Sequence, residues 1–233
     1  MKLSDFRGVF NKSIARVESV RNVYGDYYEI RMTPENDLSW QAGEHGVFRL
    51  PDRNVKGKSF RAFSLASIPS EKIIILGTRT GKEISSYKRE MISMQKGERI
   101  LINGPFGWFK IQDNSSPIVM IAGGVGITPI RALLKKLEDD ERRSIELIYS
   151  SSDYYLFNDD IHKIISNNSK IVLHKTSSRE ETQELIDVLA IKYMNSAYYY
   201  ISGARPFIKG VKGQLVNKNI IKKRIINDPF FGY

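Results

Sequence analysis

The sequence predicts a two-domain protein in which an antiparallel Greek-key β-barrel precedes an α/β domain built on a parallel sheet. The first half contains short runs of β-branched and aromatic residues separated by turn signals, which is typical of antiparallel strands. In the second half, apolar strands alternate with helical segments, which indicates a parallel sheet covered by helices. The polar stretch from Gln112 to Pro117 separates the two patterns. We therefore predict domains at residues 1–113 and 117–233.

The first half is predicted to form six strands and one helix. Turn signals such as Tyr24-Gly25-Asp26 separate the strands, and antiparallel strands at this spacing suggest a small closed barrel. The helix is predicted from Ser86 to Met94, and His45 is assigned a structural role in the turn that it forms with Gly43 and Glu44. The strands are predicted at Ser13–Val20, Tyr27–Thr33, His45–Leu50, Phe60–Leu65, Ile73–Thr78 and Arg99–Asn103.

The second half begins with an apolar strand, Ile118 to Ala122, that leads through a glycine turn into a helix. Apolar residues recur on one face of this helix, at Ile130, Leu133, Leu134 and Leu137. Strands and helices then alternate as in doubly wound sheets. The further strands are predicted at Ile145–Ser150, Lys170–His174 and Ala197–Ser202, and the further helices at Asp159–Ile165, Thr182–Tyr193 and Pro206–Asn217.

The composition predicts a folded protein without a membrane span. Of the 233 residues, 41% are hydrophobic. The most apolar stretch, Ile118 to Ile130, contains glycines and a proline and is shorter than the ~20 residues of a transmembrane helix. Charges are scattered through the first twelve residues, where a signal peptide would be apolar. We therefore expect a cytoplasmic protein.

The sequence contains no cysteine, which excludes disulfides, thiolate zinc sites and cysteine-ligated iron–sulfur clusters. The formal net charge of +10 is compatible with an acidic partner, an anionic ligand or nucleic acid. No dense run of Lys and Arg interleaved with aromatic residues is present apart from the short Lys222-Lys223-Arg224. Solubility explains the charge better than nucleic-acid binding does, and no metal site is predicted.

The turn GGVGITP, after the first strand of the second half, is the sharpest local motif. Gly123, Gly124 and Gly126 let the backbone approach a ligand, Thr128 is predicted to cap the next helix, and Pro129 suits its first turn. Helix starts attract pyrophosphate groups through their N–H groups. A tight turn that binds nothing is the alternative. Three glycines and a Thr-Pro pair directly after an apolar strand favour the phosphate site.

Two weaker motifs lie in the first half. In Arg61-Ala62-Phe63-Ser64, the arginine could pair with a phosphate, the phenylalanine could cover a planar ring, and the serine could hydrogen-bond to a ring nitrogen. Ordinary surface and core residues would give the same pattern. Ile84 and Ser85, at the end of Gly81-Lys82-Glu83-Ile84-Ser85, either offer backbone N–H groups to an anion or simply cap the predicted helix.

In their order along the chain, these motifs resemble those of the ferredoxin-NADP reductase family, from about Ile14 to Tyr233. The resemblance is to the module that binds FAD and NAD(P)H, without an iron–sulfur domain. It implies a flavin-binding barrel and a nucleotide-binding α/β domain, with the two cofactor rings meeting in a cleft. The motifs are Arg-x-Phe-Ser, Gly-x-x-Ile-Ser, Gly104-Pro105-Phe106-Gly107, GGVGITP, Ser202-Gly203 and Phe231-Gly232-Tyr233.

The resemblance implies a role for each matching residue. Arg61 would bind the flavin phosphate, Phe63 would lie against the isoalloxazine, and Ser64 would lie near its N5 atom. The implied catalytic residues are Ser64, Thr128 and Ser202. The implied cofactor-binding residues are Arg61, Ala62, Phe63, Ser64, Gly77, Thr78, Arg79, Ile84, Ser85, Gly123, Gly124, Val125, Gly126, Thr128, Ser178, Arg179, Ser202, Gly203, Phe207, Phe230, Phe231 and Tyr233.

The chain departs from the family pattern at two places. Phe63 stands where the family often has tyrosine, which keeps the ring and loses a hydroxyl. Ser202-Gly203-Ala204 stands where many members have Cys-Gly-Pro, which alters one side of the hydride-transfer site. The aromatic residues Phe230, Phe231 and Tyr233 are expected to shield the flavin until nicotinamide arrives.

We therefore expect an NAD(P)H-dependent flavoprotein reductase that holds FAD, with FMN less favoured. Its electrons would pass to an acidic carrier such as ferredoxin or flavodoxin, or to an oxygenase component. One alternative is a reductase of free flavin, quinone or ferric chelates. Another is a non-catalytic flavin-bearing regulatory subunit, against which the intact GGVGITP turn argues.

The sequence favours NADPH as the hydride donor. Ser178-Arg179 resembles the element that reads the 2′-phosphate in NADPH-using relatives. Asp153, after the preceding strand, could instead repel that phosphate. The alternative for Arg179 is a solvated loop charge paired with Glu180 or Glu181.

Overall fold

The computed structural model describes residues 8–35 and 38–228. Contacts divide the chain into two compact units, with the boundary between Lys110 and Ile111. The domain limits proposed from the sequence, 1–113 and 117–233, stay a prediction. The units are described separately below.

The first unit contains a six-stranded antiparallel sheet with the strand order β4-β3-β6-β1-β2-β5. The non-sequential order, in which β6 lies between β3 and β1, is typical of Greek-key connections. One helix, α1, joins β5 to β6. The elements are β1 (Lys12–Tyr24), β2 (Tyr27–Pro34), β3 (His45–Arg49), β4 (Phe60–Ser64), β5 (Ile74–Arg79), α1 (Ser86–Ile92) and β6 (Arg99–Phe106).

The segment after β4 brings the two ends of this sheet together. The N–H of Ala66 donates to the carbonyl of Ile75 in β5 at 2.8 Å. The hydroxyl of Ser67 accepts from the N–H of Ile75 at 3.0 Å, and its carbonyl accepts from Trp40 Nε1 at 2.8 Å. The antiparallel sheet therefore curls into a partly closed barrel, which confirms the predicted fold class of this half.

Alternate residues of the curled sheet face a common apolar core. From α1, Tyr87 and Met91 are fully buried in this core, and the Tyr87 hydroxyl donates to the carbonyl of Phe48 at 3.0 Å. His45, the first residue of β3, is 2% exposed and its ring lies 4.3 Å from that of Phe106. Burial lowers the pKa of His45 to about 4, so that the imidazole is neutral at pH 7.

The second unit is a five-stranded parallel sheet with the order β11-β10-β7-β8-β9 and helices between the strands. This confirms the predicted α/β fold. None of the helices formed by the described residues is long and apolar enough to cross a membrane. The elements are β7 (Ile118–Gly123), α2 (Ile127–Lys136), β8 (Ile145–Ser150), α3 (Asn158–Ser166), β9 (Ile171–Thr176), α4 (Arg179–Tyr193), β10 (Tyr198–Ser202), α5 (Arg205–Asn217) and β11 (Ile225–Asn227).

The predicted elements differ from the observed ones mainly at their ends. Helix α4 begins at Arg179 rather than at the predicted Thr182, because Ser178 and Glu181 form a capping box. The predicted end of β1 at Val20 is too early, since the strand continues to pair with β2 as far as Tyr24. Strand β11 was not predicted, because its three residues follow a basic segment and show no clear alternation.

Candidate functional site

The carboxyl ends of four neighbouring strands lie side by side at one edge of the parallel sheet. Gly123 at the end of β7 pairs with Ser150 of β8, which pairs with Thr176 of β9, and Ser202 of β10 pairs with Ala122 on the other side of β7. The chain runs outward from β7 through β8 to β9 and then crosses to β10. Ligands of open α/β sheets bind where the strand order reverses in this way, which here is between β7 and β10.

The GGVGITP turn lies at this switch point and touches the end of β10 through its backbone. A methyl group added at Gly126 would lie 2.3 Å from the carbonyl oxygen of Ser202 and 2.5 Å from the nitrogen of Gly203. No side chain fits there without moving one of the two backbones. Gly126 is therefore required for the close packing of the turn on β10, rather than for contact with a ligand.

The other glycines of the turn have different environments. Gly124 adopts a left-handed backbone (φ 53°), and a methyl group added there would meet nothing within 4 Å. A methyl group on Gly123 would instead lie 2.9 Å from the ring of Phe207, which also packs on Gly203. Of the three predicted glycines, Gly124 borders the open space that a phosphate would need, whereas the other two pack against protein.

The predicted capping role of Thr128 is wrong. Helix α2 begins at Ile127, so Thr128 lies inside its first turn, and its hydroxyl donates to the carbonyl of Val125 at 2.7 Å. This bond closes the segment Gly124–Gly126, which forms a single 3-10 turn. Thr128 is 4% exposed and stabilises the conformation of the turn.

Ser202 is completely buried, and its hydroxyl donates to Oδ2 of Asp228 at 3.1 Å. Asp228, which is 1% exposed, follows β11 and is held by a backbone hydrogen bond from its N–H to the carbonyl of Ile201. Because β11 was not recognised in the sequence, this carboxylate beside Ser202 was missed.

Arg179 is exposed and is the first residue of α4, not the loop residue considered from the sequence. Within the described part of the chain, no ion pair joins Arg179 to Glu180 or Glu181. Oε2 of Glu181 instead accepts the N–H groups of Ser177, at 2.9 Å, and of Ser178, at 3.3 Å. The salt-bridge alternative for Arg179 is therefore not found.

Hydroxyl groups connect the ends of β8 and β9 next to Arg179. The Thr182 hydroxyl lies 2.9 Å from that of Ser150 and 2.8 Å from that of Thr176. Thr176 and Thr182 were not among the predicted residues, because lone threonines at element ends carry no distinctive signal. Asp153 is exposed in the loop after β8 and accepts the N–H of Tyr154 at 3.0 Å.

In the first unit, β4 is an edge strand, and all five of its residues are partly exposed. Arg61 and Phe63 share one face of β4 and both lie next to Tyr87 of α1. The guanidinium of Arg61 is 5.3 Å from the Tyr87 ring centre, and the ring of Phe63 is 6.3 Å from it. Ala62 and Ser64 point to the opposite face.

The Arg61 guanidinium is held near the backbone of its own strand. It donates to the carbonyls of Lys58, at 2.9 Å, and Phe60, at 2.8 Å. Both acceptors are neutral, so the positive charge of Arg61 remains available to an anion.

The segment before α1 includes Ile84 and Ser85, which are half-buried. The Ser85 hydroxyl accepts the N–H of Lys88 and caps α1. The helix cap predicted as one alternative is thus formed by the side chain of Ser85.

The three candidates at the end of β5 have different partners. Arg79 extends to Asp26, with its Nε 2.8 Å from Oδ1, and Asp26 also accepts the N–H of Gly81. Gly77 is buried. Thr78 is 2% exposed, and its hydroxyl has no hydrogen-bond partner among the described residues. A buried hydroxyl without a partner is unfavourable, and a polar group of a ligand would remove that penalty.

The remaining candidates, Phe230, Phe231 and Tyr233, lie outside the described residues. Across residues 8–35 and 38–228, no group of three or more His, Asp or Glu side chains is arranged to hold a metal ion.

Comparison with known proteins gives the class of the second unit. Residues 120–213 match the family model of the oxidoreductase NAD-binding domain. One component of the Na(+)-translocating NADH-quinone reductase of Actinobacillus pleuropneumoniae is 26% identical over 202 residues, which are 74% of this chain and 49% of that component. The flavohemoprotein of Bacillus anthracis is 22% identical over 256 residues, covering 98% of this chain and 61% of that protein. The chain thus spans about half to three fifths of the length of these relatives.

Both units match one solved structure. A ferredoxin NADP+ reductase from Neisseria gonorrhoeae, with bound FAD and NADP, superposes with a TM-score of 0.75 at 18% identity, covering 93% of this chain and 97% of that one. The chain therefore has the ferredoxin-NADP reductase fold. Together with the oxidoreductase NAD-binding domain of the second unit, this fold confirms the resemblance recognised from the motifs.

The contact between Gly126 and β10 leads to a first prediction. Replacing Gly126 by alanine should force the turn and β10 apart and lower the free energy of unfolding by at least about 1–3 kcal/mol, the usual cost of overpacking. Denaturant unfolding measures this change. The matched control is Gly210→Ala, in helix α5, where a methyl group meets nothing within 4 Å and should stabilise by roughly 0.5–1 kcal/mol. Equal effects of the two substitutions would contradict the packing role.

Proposed function

We propose that this protein is an NAD(P)H-dependent flavoprotein reductase that binds FAD and passes electrons to a separate acceptor. The observation that carries the proposal is the GGVGITP turn at the switch point of an oxidoreductase NAD-binding domain, with Gly124 bordering open space. The Neisseria gonorrhoeae reductase holds FAD and NADP on the same fold, which supports this pair of cofactors.

The groups of the first unit suit the flavin. The Arg61 cation would pair with a phosphate, and Phe63, held against Tyr87 and Phe48, would present a ring to the isoalloxazine. Ser64, on the opposite face of β4, would offer its hydroxyl to a ring nitrogen. FAD is favoured over FMN because Ile84 and Ser85, with Gly77, Thr78 and Arg79, provide further polar groups for a pyrophosphate.

The groups of the second unit suit the nicotinamide dinucleotide. The α2 start and Gly124 would hold the pyrophosphate, while Thr128 fixes the turn through Val125. Ser202, fixed by Asp228, and Phe207 would border the nicotinamide side. The bound flavin would supply the redox chemistry, because it accepts a hydride from nicotinamide and can release electrons one at a time.

The electron acceptor is proposed to be an acidic protein, either a ferredoxin or flavodoxin or an oxygenase component. The net charge of +10 supports this choice, since complementary charges speed association. A reductase of free flavin, quinone or ferric chelates is the second candidate, and the similarity to a component of the NADH-quinone reductase favours it. A cytoplasmic location is part of the same proposal.

Anaerobic mixing with NADPH or NADH tests the proposal. A reductase that holds FAD loses its yellow absorbance when the nucleotide is added, and admitting air or adding an acceptor restores it. A regulatory subunit with an inactive nucleotide site would keep its absorbance with both nucleotides, and that result would contradict the proposal.

Replacing Arg61 by alanine should weaken FAD binding by about tenfold or more, because a charge-assisted contact contributes ~1.5–3 kcal/mol. Titration of the flavin-free protein with FAD measures the affinity. Arg99→Ala, which removes an arginine paired with the exposed Asp52, is the matched control and should leave the affinity unchanged. Unchanged affinity in Arg61→Ala as well would remove Arg61 from the flavin site.

We expect NADPH to be preferred over NADH because the exposed cation of Arg179 directly follows Ser177 and Ser178 at the start of α4. Arg179→Ala should lower kcat/KM for NADPH, by about tenfold if one charge-assisted contact is lost, and hardly change that for NADH. Lys212→Ala, an exposed cation of α5, is the control. An equal loss of kcat/KM with both nucleotides, or no loss with either, would contradict the assignment of Arg179 to the 2′-phosphate.

A further inference from the structure

Lys88 is a buried cation that no motif of the sequence identified. It lies in the first turns of α1 and is 3% exposed. Lysine is rarely buried to this extent in proteins, because removing an ammonium group from water is costly. Its Nζ donates to the carbonyl of Arg79, so the side chain reaches from the helix to the end of β5.

The charged groups around Lys88 come from three other elements. Arg61 of β4 is a like charge close enough to oppose the ammonium, and Asp26, in the turn between β1 and β2, favours it. Asp26 is shared, since it also pairs with the guanidinium of Arg79 on β5. On α1 itself, burial raises the pKa of Tyr87, so that its hydroxyl is neutral.

Beside these charged groups, the hydroxyl of Thr78 lacks a hydrogen-bond partner among the described residues. Thr78 follows Leu76 on the inner face of β5, the face that packs on the core containing Tyr87. Its hydroxyl is buried without a hydrogen-bond partner among the described residues. The end of β5 thus lies beside Lys88 and an unsatisfied hydroxyl, with Arg61 close enough to repel the ammonium and with Arg79 paired to Asp26.

We propose that Lys88 is a flavin-binding residue, whose buried ammonium group binds a phosphate of FAD together with Arg61. This inference rests on the proposed function, because it names a further group of the same cofactor site. An anion would offset the repulsion between the two cations and compensate the cost of burying the ammonium. The phosphate or ribitol oxygens of the ligand would also give the Thr78 hydroxyl a partner.

The proposal predicts a dependence of flavin affinity on pH. Burial lowers the pKa of Lys88 to about 7, with Arg61 adding to the decrease and Asp26 opposing it. A bound phosphate favours the protonated ammonium, so above pH 7 FAD binding must take up a proton. Affinity should therefore fall as pH rises from 7 to 9, by up to about tenfold per pH unit. The pyrophosphate of FAD stays fully ionised in this range and does not contribute to the pH dependence of the affinity.

The experiment is a titration of the flavin-free protein with FAD and with riboflavin, which has no phosphate, from pH 6 to 9. We expect Lys88→Met to weaken FAD binding at pH 6 by at least about tenfold, to remove the pH dependence and to leave riboflavin binding nearly unchanged. Lys88→Arg should keep most of the affinity for FAD and lose the pH dependence, because arginine stays protonated. Lys96→Met, at a well-exposed lysine, should match the wild type.

Several outcomes would overturn the proposal. One is a flat pH profile for FAD in the wild type, which needs no variant to be folded. Another is an equal loss of FAD and riboflavin affinity in Lys88→Met, which would indicate a packing role. Unchanged FAD affinity and pH dependence in Lys88→Arg or Lys88→Met would also overturn it. A wild-type protein that binds neither flavin would instead contradict the proposed function itself.

Discussion

The close approach of two backbones at the centre of the parallel sheet is the constraint on which the second unit depends. Gly126 lies so near the carbonyl of Ser202 that only glycine fits, and Phe207 packs in the same way on Gly123 and Gly203. These contacts set the angle at which the chain leaves β7 and enters α2. Because Gly123 and Gly126 pack against other parts of the protein, Gly124 can adopt its left-handed backbone and face open space. The conformation of the turn, for which we propose phosphate binding, therefore follows from packing within the protein.

The first unit follows a different principle, since its candidate site is built from polar groups that the core holds in place. Tyr87 anchors α1 in the core and provides the surface on which Arg61 and Phe63 lie. The next residue of that helix, Lys88, is buried, and its ammonium group donates a hydrogen bond to the carbonyl of Arg79. Holding cations at low exposure costs free energy in the absence of a ligand, and binding an anion would recover part of it. Such preorganisation is common in cofactor sites.

The sequence predicted the architecture well because its signals were local. Alternating and apolar runs located ten of the strands within a few residues, and the glycine turn marked the first strand–helix connection of the second unit.

Features that depend on tertiary contacts were not predicted from the sequence. Strand β11 is defined by its pairing with β10 rather than by its own pattern, so Asp228 was missed with it. Thr128 was predicted to cap α2, whereas the helix starts one residue earlier and its hydroxyl closes the turn on Val125. Lys88 looked like an ordinary surface lysine, because burial cannot be read from a residue type that is usually exposed.

Hydride transfer from nicotinamide to flavin is the chemical step that the proposed function requires. The most direct measurement is rapid anaerobic mixing of the FAD-loaded protein with nicotinamide nucleotide that carries deuterium on one or the other face of C4. Transfer within a fixed geometry predicts that the loss of flavin absorbance is slowed by the label on one face only. Absorbance loss at the same rate with both labels and with unlabelled nucleotide would show that hydride transfer does not limit the reaction, and no loss with any of them would contradict the assignment as a reductase.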